Sequence, residues 1–450
     1  MKLKDAYVQE QLEAFNELAA FDDWKGFLDS IRSQGRDGSA IKEAAVRASN
    51  RFAALARTED SPEEYGGPVV AGAHQTYLDY GFGTLSKISV LEELRREGVC
   101  TLWTAVDYDN FASDTLIRRV EFPNVHNRTD TGSYLESIVL HPRQNKFGGS
   151  DLRFVPPPEK ESIALFGERI KQICREASRT LQMVSPDRER MWQHYEEYMK
   201  DISVASEAAA NVAEFNGIVT LRMMRRLGFT TPYVQMSELL DDPSVARKIS
   251  EFYSAVIRDN DAFVSAANSV FDRYPGVDLH SKRYVPGILP MQIAAGDKGK
   301  RSQAFVEKRE GGHVISSRDL SVGVGDASPD EIQEFLHEYK GRWSPNVAMP
   351  LLMDSLGLGG MISGKSSMIY SVPFAEVTDK MFGRKYLPNF FSAGSAAPGG
   401  FFHRAVLLRS EGRADADECF KRCEPTILYR MLESGYADVA DELRNVWGGD

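Results

Sequence analysis

Residues Gly359 to Ser366, "GGMISGKS", match G-x-x-x-x-G-K-[ST] at every position. In that pattern backbone N–H groups and a lysine surround a phosphate, and the Ser/Thr hydroxyl can hold magnesium. Gly364, Lys365, Ser366 and Ser367 therefore form one candidate anion site. A second lies in "VVAGAHQTY", where His74 comes after an apolar run and is succeeded by Gln75 and Tyr77. An imidazole there can face a phosphate or take a proton. A third is "VDYDN": Asp107 and Asp109 are carboxylates that could bind an ammonium, hold magnesium or act as a base, and Asn110 can orient a ligand. Lys87, one turn into the helix after His74, could add positive charge. Cys419 and Cys423, spaced i, i+4, read as one helix face rather than half a metal site, and no metal is expected.

The position of "GGMISGKS" argues against a nucleotide-hydrolysing P-loop. It ends at residue 366 of 450, and the remaining C-terminal stretch lacks a set of alternating strands and helices. A phosphate- or substrate-binding loop of another fold is the expectation.

The elements that must carry these residues are legible in outline. "GGPVVAGAHQ" is a turn, a short buried strand and a small-residue loop. "TLSKISVLEELRREG" is a helix closed by glycine. "VCTLWTAVD" is a second buried strand. Strand, helix, strand in this short span is the length of a βαβ unit, and strands with unbroken apolar runs imply a parallel sheet covered on both faces. Residues 1–60 read as helical, 118–122 and 135–140 as further strands, 162–227 and 244–273 as helices. Residues 283–317 alternate apolar runs with glycine and charge, as in strands and hairpins. "SPDEIQEFLHEYKGRW" opens with Ser328 as N-cap and acids in its first turn. Ser344 and Asn346 are candidate binding residues that could also cap a helix after Trp343.

The 450 residues are 42% hydrophobic and 26% charged, with a net charge of −11. This is the composition of a soluble globular protein with a sizeable core. The acidic balance gives no global field for nucleic acid or an anionic membrane. No run reaches the ~20 apolar residues that span a bilayer, and the first 21 residues read as an amphipathic helix, not a signal peptide. Four cysteines, Cys100, Cys174, Cys419 and Cys423, are too few for a disulfide framework. The expected compartment is the cytoplasm.

Three stretches, "GGPVVAGAHQTYLDYGFGTLSK", "LWTAVDYDNF" and "RWSPNVAMPLLMDSLGLGGMISGKSSMIY", resemble landmark segments of the cysteine ligases of bacillithiol synthesis. In that family they read roughly V-V-T-G-Q-Q, then F-W-I-A-S-E-D-H-D-F, then S-P-N-V-x-x-R-P-L with G-G-P-G-E-I-A-Y. The resemblance covers about residues 60–390. Val69, Val70, Gly72, Lys87, Trp103, Ala105, Phe111, Ser344, Pro345, Asn346, Val347, Pro350, Leu351, Gly364 and Tyr370 match. The departures are Ala73 and His74 for paired Gln, Tyr108, Asp109 and Asn110 for Asp-His-Asp, Met349 for Arg, and Ser367 for Glu.

The resemblance implies an α/β fold with a Rossmann-like parallel-sheet core, akin to nucleotidyltransferases and class I aminoacyl-tRNA synthetases, with helical insertions. The boundaries it implies are a helical segment over 1–60, a first core half over 61–160, an insertion over 161–280, a second core half over 281–395 and helices over 396–450. It implies a ligase that joins an amino acid, with cysteine the first candidate, to a small amine or sugar-amine acceptor. ATP or ADP, with or without magnesium, is the cofactor it implies, and small molecules are the partners. The alternatives are nucleotidyl transfer or a non-catalytic binding relative. His74, Asp107 and Asp109 would be catalytic. Gly72, Gln75, Tyr77, Lys87, Trp103, Asn110, Ser344, Asn346, Gly364, Lys365, Ser366, Ser367 and Tyr370 would bind. The family's dimer-forming C-terminal coiled coil has no counterpart here, which leaves the oligomeric state open.

Overall fold

The computed structural model describes residues 20–21, 24–59, 67–111, 116–128, 134–142, 145–273, 283–345, 352–353, 355–364, 374, 376–383, 387–391, 400–409 and 426–445. The chain opens with strand β1 (Ala20–Phe21) and helices α1 (Trp24–Ser33) and α2 (Ser39–Ala56). The expected βαβ unit comes next as β2 (Val69–Gln75), α3 (Phe82–Arg96) and β3 (Cys100–Val106). It is succeeded by β4 (Arg119–Arg128), β5 (Tyr134–Val139), α4 (Lys160–Thr180), α5 (Ser185–Ala208) and α6 (Val212–Arg226). Short β6 (Tyr233–Gln235) leads into α7 (Met236–Leu240), α8 (Pro243–Arg258) and α9 (Asn260–Phe271). Strands β7 (Ile288–Ala295), β8 (Lys300–Arg309), β9 (Gly312–Ser317) and β10 (Leu320–Gly323) precede α10 (Pro329–Glu338) and β11 (Trp343–Pro345). The remainder is β12 (Gly360–Ser363), β13 (Asn389–Phe391), α11 (Gly400–Arg409), α12 (Ile427–Ser434) and α13 (Tyr436–Asn445).

Six strands form one sheet in the order β1-β13-β12-β2-β3-β6, and every pairing in it is parallel. Alternate residues of its strands enter two different cores. Val70, Trp103, Tyr233 and Ile362 pack on one face with Leu85, Ile88, Leu91 and Leu94 of α3. Val69, Ala71, Leu102, Val234 and Met361 pack on the other with α8 and the strands beyond it. Both faces are thus covered, which is why the strands carry no polar alternation.

A second sheet, β10-β9-β8-β7-β11, is antiparallel throughout. β4 and β5 extend neither sheet but pair with each other as a separate antiparallel ribbon. The interval 281–395 therefore feeds both large sheets: β7–β11 build the antiparallel one and β12 and β13 join the parallel one. Helix α10 begins as its sequence requires. Ser328 accepts from Glu331 N–H at 3.4 Å, and Ser328 N–H donates to Glu331 Oε2 at 2.9 Å, a capping box.

Three expectations change. Ala20–Phe21 is an edge strand, paired with β13, where helix was expected. Ser344 lies in β11, opposite Gln292 of β7, so it does not cap a helix. The centre of "GGMISGKS" is strand β12, flanked by β2 and β13. A P-loop needs those residues to curl around phosphate, whereas here Gly360 to Ser363 are extended ladder residues. The two glycines serve packing: a Cβ on Gly360 would lie 2.9 Å from Ile31, and one on Gly359 would lie 2.6 Å from Pro68.

Candidate functional site

From β2 the chain moves outward to β3 and β6 on one side, and later to β12 and β13 on the other. The sheet order therefore reverses between β2 and β12. In an open parallel sheet the loops leaving two such strands diverge, and a crevice forms at their carboxyl ends. Ile362 pairs with Gly72 in the ladder, so His74 and Gly364 each lie two residues beyond that pair, at the carboxyl ends of their strands, where such a crevice would open.

Lys87, on the second turn of α3, reaches into the same place. A Cβ built on Gly364 would lie 2.9 Å from Lys87 Cε and 3.2 Å from its Nζ. Gly364 is therefore glycine because the lysine occupies the space. Lys87 is 3% exposed. Among the described residues no carboxylate pairs with it and no acceptor takes a hydrogen bond from it. Burial alone pushes its ammonium down to about 8.

His74 is the last but one residue of β2, so it belongs to the strand and not to the small-residue loop expected there. Its ring meets Tyr77 edge-on at 4.6 Å and Tyr80 at 5.6 Å. Its Nδ1 is 3.2 Å from the Gln75 carbonyl oxygen. A carbonyl can only accept, so Nδ1 carries the proton and Nε2 is left as an acceptor. Burial, reinforced by the Lys87 charge, pushes His74 down to about 3, so the imidazole is neutral across the physiological range.

The loop behind His74 is held rigidly. Tyr80 Oη donates to the Gln75 carbonyl at 2.9 Å, and Tyr77 Oη donates to Gln75 Oε1 at 2.9 Å. Asn216 of α6 donates to the carbonyls of Thr76 at 3.0 Å and Ile117 at 2.9 Å. Tyr77 is pushed up to about 12 by burial and by the charge of Asp109. Asp109 accepts from Asn110 N–H at 2.6 Å and from Arg301 Nη1 at 3.4 Å, and a fifth of its side chain stays exposed. Gln75, Tyr77 and Asp109 thus extend the crevice from β2 towards β3.

Other candidates serve the fold. Asp107 is 1% exposed and accepts from Ser237 N–H at 2.9 Å and from Ser237 Oγ, which fixes the start of α7. Its carboxylate is committed there, which disfavours the expected role of base. Trp103 is fully buried beneath the site and offers no surface to a ligand. Gly72 makes room for it: a Cβ there would lie 3.2 Å from the indole and 3.1 Å from Leu91. Ser344 belongs to the other sheet, 2% exposed. Asn110 pairs with Asp151 through an isolated backbone bridge. Asn346, Lys365, Ser366, Ser367 and Tyr370 lie outside the described residues, as do Cys419 and Cys423. Tyr80, Arg153 and Arg301 border the crevice without having been expected. The partner of Arg301, Asp109, is 192 residues away in sequence, and no local pattern announces it.

Among the described residues no group of three His, Cys, Asp or Glu is placed to hold a metal, and no helix is long and apolar enough to cross a membrane. No protein-family model matches the chain, and comparison with curated proteins gives no significant match.

Proposed function

We propose that the crevice between β2 and β12 binds the anionic group of a small-molecule substrate, and that the chain is a Rossmann-like ligase joining an amino acid to a small amine. The observation that carries this is Lys87: a buried ammonium with no counter-ion among the described residues, beside Gly364 at the end of β12, at the reversal of strand order. A fold gains nothing by burying such a charge, whereas a phosphate or carboxylate arriving there gains a charge-assisted hydrogen bond in a dry setting. The order β6-β3-β2-β12-β13 supports the Rossmann-like reading, because strands spread from β2 in one direction and then in the other. The bacillithiol-type resemblance supports the choice of ligase, with cysteine as the first amino acid to test.

Lys87 holds and orients the anion. His74 Nε2, a neutral acceptor, takes a hydrogen bond from the attacking amine. An anion beside Lys87 cancels part of the field that depresses His74 and so moves the imidazole towards the range where it can accept a proton. Tyr77 and Gln75 keep the ring in place. ATP, when bound, would supply activation of the carboxyl group. Calorimetric titration with ATP and ADP tests this role: failure to bind at millimolar nucleotide removes the phosphate from the scheme.

A second reading has an observation in its favour. With Asp107 committed to α7 and His74 depressed, neither of these two expected bases stands ready to take a proton, which suits a binding protein that kept the fold without its chemistry. Incubating the protein with ATP, the amino acids and candidate amines separates the readings. A ligated mass supports the enzyme, and bound but unaltered reactants support the relative. Pyrophosphate release without ligation would mark nucleotidyl transfer instead.

A further inference from the structure

The carboxyl end of β3 is stitched to the antiparallel sheet by backbone hydrogen bonds. Leu152 N–H donates to the Asp109 carbonyl at 3.0 Å and Phe111 N–H to the Ser150 carbonyl at 3.0 Å. Asp151 N–H donates to the Gly299 carbonyl at 2.9 Å, and Arg301 N–H to the Gly149 carbonyl at 3.1 Å. This seam gathers Tyr108, Arg153 and Arg301. The Arg153 guanidinium lies over the Tyr108 ring, 5.6 Å from its centroid. The charges of both arginines are felt at the Tyr108 hydroxyl.

The acids of the seam use part of this donor set and leave the rest. Asp151 takes Arg153 Nε at 3.0 Å and Nη2 at 2.8 Å. Asp109 takes Arg301 Nη1 at 3.4 Å, and Asp107 is spent on Ser237. Arg153 Nη1, Arg301 Nε and the Tyr108 hydroxyl remain, each buried and each without a hydrogen-bond partner among the described residues. Tyr108 is 3% exposed. All three leftover atoms carry N–H or O–H, so the group that completes them must accept. Two guanidinium edges and a phenol match the oxygens of a carboxylate or phosphate. Arg301 and Asp109, 17% and 20% exposed, stand at the open side of the group and give an approach.

We propose that Tyr108, Arg153 and Arg301 form a second anion subsite, at the junction of the two sheets, for a carboxylate or phosphate group of a small molecule. It lies at the β3 end of the crevice, across Tyr77 and Asp109 from Lys87, and does not depend on what Lys87 holds. Two separated anion sites on one crevice fit two acidic reactants, or one reactant with acidic groups at both ends.

The test removes the first site before probing the second. Inorganic phosphate is titrated calorimetrically into the full chain carrying Lys87→Met, then into Lys87→Met combined with Arg301→Gln or with Tyr108→Phe. The Lys87→Met protein is expected to bind phosphate, and each added substitution to weaken that binding by roughly tenfold or more. Tyr108→Phe removes one oxygen and Arg301 is partly exposed, so at least one double variant stays folded by thermal melting. Absence of phosphate binding by the Lys87→Met protein, or equal affinity in a folded double variant, overturns the subsite. Loss of nucleotide binding in Lys87→Met alone bears on the first site only.

Discussion

Two buried charges in this molecule are treated in opposite ways. Asp201 of α5, 1% exposed, accepts from Arg222 Nε at 2.7 Å and from Arg226 Nε and Nη2 at 2.9 and 3.0 Å. Arg222 continues to the Ala56 carbonyl at 2.9 Å, so the group ties α5, α6 and α2 together. Lys87 of α3 is as deeply buried and has no such partner among the described residues. A buried charge compensated from within serves the fold, because removing either side strands the other. One left uncompensated costs the fold, which on the proposed reading is offset by an anion that arrives from outside. Asp201→Ala should therefore lose ~3–5 kcal/mol of stability, since it takes the buried carboxylate from Arg222 and leaves Arg226 only the longer contact to Glu197 at 3.8 Å. Urea unfolding measures this, and a loss below about 1 kcal/mol would erase the contrast.

Lys87→Met should move stability the other way. The folded value of Lys87, about 8, lies below its ordinary 10.5. The charged form is thus disfavoured by folding. The cost is complete below pH 8 and fades as pH rises towards 10.5, where the unfolded chain also loses the proton. Replacing the ammonium by a thioether of similar length should stabilise the protein by about 3 kcal/mol at pH 7, with the gain shrinking towards pH 10. Denaturation at both pH values tests the sign and the slope. A variant less stable than the parent at pH 7 would mean that the ammonium has a compensating partner after all.

The same contrast explains how much of the molecule is legible in its sequence. The β2–α3–β3 unit was legible because its strands are apolar on both faces and its helix ends at glycine. Ser328 was legible because a capping box is local. The site was half legible: His74 and Lys87 lie within one strand–helix unit and came out together. Strand β12 was not legible. It has two strongly apolar residues, Met361 and Ile362, between glycines, and its extended form is imposed by β2 and β13 on either side. The engagement of Asp107 by Ser237 spans 130 residues. The pairing of Asp109 with Arg301 spans 192. Nothing local distinguishes a carboxylate awaiting a substrate from one already claimed by a distant element.

Asp79 falls between the two extremes. It is 1% exposed, and its Oδ1 accepts from Tyr80 N–H at 2.9 Å and Leu428 N–H at 3.1 Å, while Oδ2 accepts no hydrogen bond by geometry from the described residues. Burial raises it from 3.8 to about 7. A raised carboxyl favours the folded state while protonated, so this stability is present below pH 3.8 and is lost as pH rises through 7. Asp79→Asn keeps the accepting oxygen without the charge. It should gain about 4 kcal/mol at pH 8 and almost nothing at pH 3. A pH series of unfolding curves for the two proteins reads the difference directly, and a gain independent of pH would assign the effect to packing.

The smallest expected change in stability is the sharpest test of the comparison. Gly364→Ala introduces one methyl group where Lys87 Cε now lies 2.9 Å away. The backbone at Gly364 is not in the left-handed region, so alanine brings no dihedral strain there. The neighbour is the far end of a flexible chain, which can swing aside at little cost, so stability should change by less than about 1 kcal/mol. The ammonium would no longer lie against residue 364, and anion affinity at this site should fall by roughly tenfold. If the crevice were only a packed turn, that methyl group would affect stability and ligand binding in step. If it is a site built around an unpaired charge, affinity falls while the melting temperature stays nearly still, a separation that calorimetry and thermal melting of one variant can show.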